Sequence, residues 1–128
     1  MNTTHRVVNT LTILHVSGVL AADPDTAELD TFRSAVEEAA AEAVDLAIDV
    51  SEVPSIDSEG VGELARALGR VSRRGGRLAL IAPSPSVNKI LTVTKLDGVF
   101  NVLASEEAAI DLLVHGKRPH VSRSFAPN

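Results

Sequence analysis

The chain has 128 residues, a formal charge of −5 and three Phe as its entire aromatic complement. That balance argues against base-stacking platforms and against general binding to a phosphate backbone, so no nucleic-acid partner is expected. The absence of cysteine excludes disulfides, thiolate metal sites and Cys nucleophiles.

Apolar residues make up 45% of the chain, enough for one domain with a core of Val, Leu, Ile and Ala. No stretch reaches the roughly 18 continuous apolar residues of a membrane span. The amino end, MNTTHRVVNT, has no apolar run of signal-peptide length. The expectation is a cytoplasmic protein with no membrane span.

Residues 6–9 (RVVN) and 11–17 (LTILHVS) read as short strands rich in β-branched residues, with Asn9-Thr10 between them as a turn. Asp23, Pro24, Asp25 and Thr26 offer helix-start chemistry. Ala27, Leu29, Phe32, Ala35, Val36, Ala39 and Ala40 then recur at helical spacing. VDLAIDV (44–50) alternates like a strand, and Pro54 places residues 51–55 in a loop. A second long helix is expected to start at or just after Ser58. Its core stripe is read as Val61, Leu64, Ala65, Leu68 and Val71, and Gly75-Gly76 ends it. RLALIA (77–82) reads as a buried strand. PSPS (83–86) leads into a short helix marked by Val87, Ile90 and Leu91. FNVLA (100–104) is a last strand, and residues 106–114 a last helix that Ser105 can cap. The resulting order is β-β-α-β-α-β-α-β-α. After the opening pair it implies parallel strands in one α/β domain over residues 1–114. Residues 115–128 lack periodicity and read as a mobile tail.

The stretch SIDSEGVGEL (55–64) calls for explanation. Taken alone, Ser58 is a helix cap, worth about 1 kcal/mol over Ala. Gly60 and Gly62 weaken that plain reading, because each costs about 1 kcal/mol inside a helix. Either something approaches that backbone closely or packing demands it. The hydrolase elbow G-x-S-x-G does not fit, since Ile56 stands two residues before the serine. His5, His15, His115 and His120 are candidates for a general base only by elimination, and His15 reads as a partly buried structural residue. Neither phosphate-loop pattern occurs, and RRGGR (73–77) reads as a helix stop. Asp45, Asp49, Glu52 and Asp57 crowd a short span without an accompanying His and read as a solvated face rather than a cation site. No catalytic residue, metal or cofactor is expected.

Modification remains. A phosphate on Ser58 would add about −1.5 to −2 charge at a helix N-terminus whose dipole accepts it, between the acids Asp57 and Glu59. Exposed residues of the flank, by helical spacing, are Ser58, Glu59, Gly62, Glu63 and Arg66.

The stretches LTILHVSGVL, VDLAIDVSEVPSIDSEGVGEL, RRGGRLALIAPSPSV and ILTVTKLDGVFNVLASEEAAI, in this order, resemble the STAS domain family. Within it they resemble the bacterial anti-sigma factor antagonists, over roughly residues 6–114. The resemblance implies a small mixed sheet with helices largely on one face. It implies a protein-binding regulator of transcription whose partner is an anti-sigma factor with serine kinase activity. Ser58 matches the phosphoacceptor, Asp57 the acid before it, and Gly60 and Gly62 the glycines at the helix start. A phosphatase acting on phospho-Ser58 would restore binding. The implied partner surface comprises Asp57, Ser58, Glu59, Gly60, Gly62, Glu63 and Arg66. Glu59 departs from the family pattern, which often has a second Ser or Thr there. The alternative is a constitutive STAS scaffold or transporter-associated subunit that uses the same helix without switching.

Overall fold

The computed structural model describes residues 1–117. The expected tail falls largely on 118–128, outside the described residues. Five strands form one sheet in the order β1-β2-β3-β4-β5. They are β1 (Asn2–Val8), β2 (Leu11–Ser17), β3 (Asp45–Glu52), β4 (Leu78–Ile81) and β5 (Asn101–Leu103). β1 runs antiparallel to β2, and every later neighbour pairs in parallel. The helices are α1 (Glu28–Ala40), α2 (Ser58–Arg73), α3 (Pro85–Val93) and α4 (Glu106–Leu113). The mixed α/β architecture and the element order are those read from the sequence.

Sheet order and handedness place the helices. Each crossover from β2 to β5 advances one strand in the same direction, and right-handed crossovers then put their helices on one face. Phe32 and Val36 of α1, Leu64 and Val71 of α2, and Val87 and Leu91 of α3 share a core with Leu14, Leu46, Ile48 and Leu80 of the sheet. α4 follows the last strand, is not a crossover, and covers the opposite face. Its Ala109 and Leu113 pack on Leu11, Ile13, Ala47, Ala79 and Ile81. With both faces covered, β2 and β3 are buried over most of their length and β4 is apolar throughout.

The starts of β1 and α1 differ most from the sequence reading. β1 begins at Asn2 instead of residue 6. It is an edge strand with mostly exposed side chains, so no apolar alternation marks its start. Asn9 accepts φ 57° in the two-residue link to β2, a conformation Asn tolerates. Asp23–Thr26 forms a turn ahead of α1 instead of its first turn. The Asp25 N–H donates to Asp23 Oδ1 at 2.8 Å, and the Thr26 N–H to the Asp23 carbonyl at 3.2 Å. Asp side chains compete for backbone donors in this way, and α1 starts at Glu28 without a side-chain cap.

The α2 core stripe is also rotated from the expected one. Gly60, Glu63, Leu64, Ala67 and Val71 face inward, while Val61 and Leu68 are half-buried and Ala65 is exposed. Apolarity alone favours Val61 as the inward residue. The strap after β2 favours Gly60, because the Leu20 carbonyl lies where any side chain at position 60 would have to go.

Candidate functional site

The amino end of α2 is assembled from two loops. After β2 and β3 the chain keeps pairing past the strand ends. The Gly18 N–H donates to the Glu52 carbonyl at 3.0 Å, and the Leu20 N–H to the Ser55 carbonyl at 3.0 Å. The Asp57 N–H then donates to the Leu20 carbonyl at 3.3 Å. The residue that caps α2 is Asp57 rather than Ser58. Its Oδ1 accepts the Gly60 N–H at 2.8 Å and its Oδ2 the Ala22 N–H at 3.0 Å. One carboxylate thus satisfies an orphan helix donor and pins the strap to the helix. The Gly60 N–H holds the Asp57 carboxyl below the usual carboxylate range; partial burial opposes this and the Ala22 N–H adds to it.

Capping by Asp57 leaves Ser58 with no structural duty at the first helical position. Ser58 and Glu59 are exposed, and Asp57 and Gly62 are half-buried. The two glycines part company. At Gly60 an added Cβ would meet the Leu20 carbonyl and the Ile56 side chain, so packing demands glycine. At Gly62 a Cβ would meet nothing within 4 Å. Glycine there lowers helix propensity with no internal reason. What it leaves is a flat surface one turn from Ser58.

Two residues of the expected partner surface are buried. Gly60 is covered by the strap. Glu63 is 5% exposed, because rotating the helix to seat Gly60 also carries position 63 toward α1. Arg33 meets it there with a forked contact, Nη2 to Oε2 at 2.5 Å and Nε to Oε1 at 3.2 Å. That hydrogen-bonded guanidinium holds Glu63 below the usual carboxylate range against the opposing effect of burial. The same contact raises Arg33 above its ordinary value. Arg66 stays exposed, with Nη1 3.7 Å from Glu63 Oε2.

Other motifs are absorbed by the fold. In RRGGR, Arg74 donates to the Ala40, Ala43 and Val44 carbonyls at the end of α1. The Arg77 N–H donates to Asp45 Oδ1 at 2.7 Å. The four crowded acids do not converge: Asp45 is buried against Arg77, Asp57 caps α2, and Glu52 is exposed. Asp49 has the histidine that its local sequence lacks. The β2–β3 register sets His15 opposite it, with Nδ1 3.2 Å from Asp49 Oδ2, while His15 Nε2 lies 2.6 Å from Glu106 Oε2. Strand register joins His15 to Asp49 and the packing of α4 brings Glu106 to them, so spacing along the chain could not show the group.

Among the described residues no helix is long and apolar enough to cross a membrane. What remains is a small α/β domain presenting an exposed serine at a rigidly capped helix start. The STAS domain profile matches residues 2–109, and the chain belongs to the STAS domain family. A protein of Thermotoga neapolitana, named provisionally as an anti-sigma factor antagonist, is 34% identical over 62 residues. That match spans 48% of this chain and 55% of the relative's own length. The crystal structure of the Thermotoga maritima counterpart has a TM-score of 0.77 at 23% identity, over 88% of this chain and 94% of that one. SpoIIAA, an anti-sigma factor antagonist, has been solved in two states. Its unphosphorylated form has a TM-score of 0.65 at 21% identity, over 91% and 100% of the two chains. The phosphorylated form, from Bacillus, has a TM-score of 0.66 at 22% identity, over 86% and 97%. The fold is that of the anti-sigma factor antagonists.

Proposed function

We propose that this chain is a regulatory binding module, an anti-sigma factor antagonist whose docking to an anti-sigma factor with serine kinase activity is switched off by phosphorylation of Ser58. The chain itself catalyses nothing; the partner supplies ATP chemistry, and a phosphatase restores the binding form. The observation that carries this reading is the division of labour at the α2 start. Asp57 does the capping, so the neighbouring hydroxyl is free and exposed. Ser58, Glu59, Gly62 and Arg66 provide the accessible surface, and Asp57 and Gly60 hold its shape from beneath.

The charge change is large enough to act as a switch. A phosphate of about −2 lands at the positive end of a 16-residue helix, so the fold tolerates it. A partner fitted to the neutral surface would meet that charge beside Glu59. At an effective dielectric near 20, two like unit charges about 6 Å apart repel by roughly 3 kcal/mol, less with salt. About 1.4 kcal/mol already means a tenfold loss of affinity. SpoIIAA, whose fold this chain shares, exists in both states, which supports a phosphate compatible with the architecture.

The test is incubation with ATP and a candidate anti-sigma factor kinase from the same organism. Wild type should incorporate one phosphate and Ser58→Ala none. Ser58→Asp should keep the wild-type melting curve and bind the partner at least tenfold more weakly. Equal binding by wild type and Ser58→Asp would overturn the switch and favour the constitutive scaffold. Glu59→Ser should be phosphorylated faster than wild type if the fixed charge slows the kinase.

A further inference from the structure

We propose that His15, Asp49 and Glu106 form a binding site for a divalent transition-metal ion of the zinc class on the α4 face of the sheet, separate from the Ser58 surface. The three come from β2, β3 and the first turn of α4, elements fixed by the second hydrophobic core. One ligand atom from each lies within 4.8 Å of the others. A turn of the His15 ring that points one nitrogen between the two carboxylates would bring all three toward the roughly 2.0–2.2 Å that nitrogen and carboxylate ligands take around zinc.

Each carboxylate is already held from behind. Asp49 Oδ1 accepts the Ser51 N–H at 2.9 Å, leaving Oδ2 toward the imidazole. Glu106 Oε1 takes Arg6 Nη2 at 2.5 Å, leaving Oε2 toward the imidazole. Outer partners that orient a ligand in this way are the usual companions of a metal site.

Two carboxylate oxygens also meet the two nitrogens of one imidazole. A neutral imidazole has one N–H and one lone pair, and carboxylates only accept. With carboxylate oxygens at both ring nitrogens, neutral His15 must turn a lone pair toward one of them. A metal ion removes the conflict once the ring turns so that one nitrogen faces between the two carboxylates, since that nitrogen's lone pair and one oxygen from each acid can then share the ion. One imidazole and two carboxylates favour zinc and its neighbours over magnesium or calcium, which prefer oxygen alone. His15 is 42% exposed, so an ion can enter from solvent and keep water on its open positions. Among the described residues Arg6 is the cation paired with the cluster, and it sets the limit on affinity.

The full chain titrated with zinc chloride alone, followed by calorimetry and by melting temperature, tests this. The expected result is one ion per chain, a rise in melting temperature, and a shift of the His15 ring resonances. His15→Gln, Asp49→Asn and Glu106→Gln should each weaken binding at least about tenfold. The variant with Gln at His5, His115 and His120 together should bind as wild type does, and magnesium should not compete. The proposal is overturned if no stoichiometric zinc binds, since a proton then suffices for His15. It is equally overturned if the His15 variant binds normally while the triple variant does not.

Discussion

Gly60 sits against the Leu20 carbonyl with no room for a β-carbon, whereas Gly62, two residues on, faces open space. Substitutions at the two sites therefore have opposite signs. Gly60→Ala must push the strap off α2 or tilt the helix, and overpacking of this kind costs about 1–3 kcal/mol. Gly62→Ala removes only a poor helix former and should gain up to about 1 kcal/mol. Urea denaturation of both variants measures the difference. If Gly62 serves a partner, Gly62→Leu should keep its stability and lose binding.

Glu63 is a buried acid whose charge depends on Arg33. Glu63→Gln keeps the volume and removes the charge. It should lower stability at neutral pH by roughly 1 kcal/mol, discounted from the usual value for a charged hydrogen bond because the guanidinium side is half exposed. Since the folded-state pKa is lowered, the unfolded chain takes up the proton first as pH falls. The contribution of Glu63 is thus complete above the unfolded value of about 4.3 and is lost as pH drops through the lower folded value. Melting curves of wild type should fall more steeply below about pH 4 than those of the Gln variant. Parallel acid limbs would contradict the pairing.

Thr12 is fully buried in β2, and its hydroxyl has no hydrogen-bond partner among the described residues. Its neighbours across the sheet are Val7 and Leu46. An orphan hydroxyl in such surroundings costs about 1–3 kcal/mol. Thr12→Val has the same shape without the polar atom, so it should raise the denaturation midpoint. A lower midpoint would mean that the hydroxyl has found a partner such as a bound water.

Much of this architecture is legible along the chain because its period signals are strong. LTILHVS is rich in β-branched residues and VDLAIDV alternates, and Ser84 and Ser105 each accept the backbone N–H three residues on, as their positions suggest. Residue spacing fails where a tertiary contact outweighs local preference. Val61 is the more apolar neighbour of Gly60, yet the Leu20 carbonyl decides which of them turns inward. Glu63 looks like a surface acid until Arg33 arrives from α1, 30 residues away in sequence. Ser58 is a good cap by type, but Asp57 wins because its second oxygen also reaches the Ala22 N–H. His15 and Asp49 meet only through strand register.

Asp57 couples two N–H donors that lie 38 positions apart in the chain, Ala22 on the strap and Gly60 in the helix. An Asn side chain has one acceptor oxygen and one amide that only donates, so Asp57→Asn can serve one of the two donors and must turn its NH2 toward the other. Asp57→Ala serves neither. Loss of the cap alone should cost about 1 kcal/mol, with Asn intermediate between Asp and Ala. Hydrogen exchange separates this from general destabilisation. In both variants the Ala22 and Gly60 amides should exchange faster relative to core amides of β3 such as Ile48. Uniform acceleration across the chain would instead show that the carboxylate contributes only to global stability and not to the shape of the Ser58 surface.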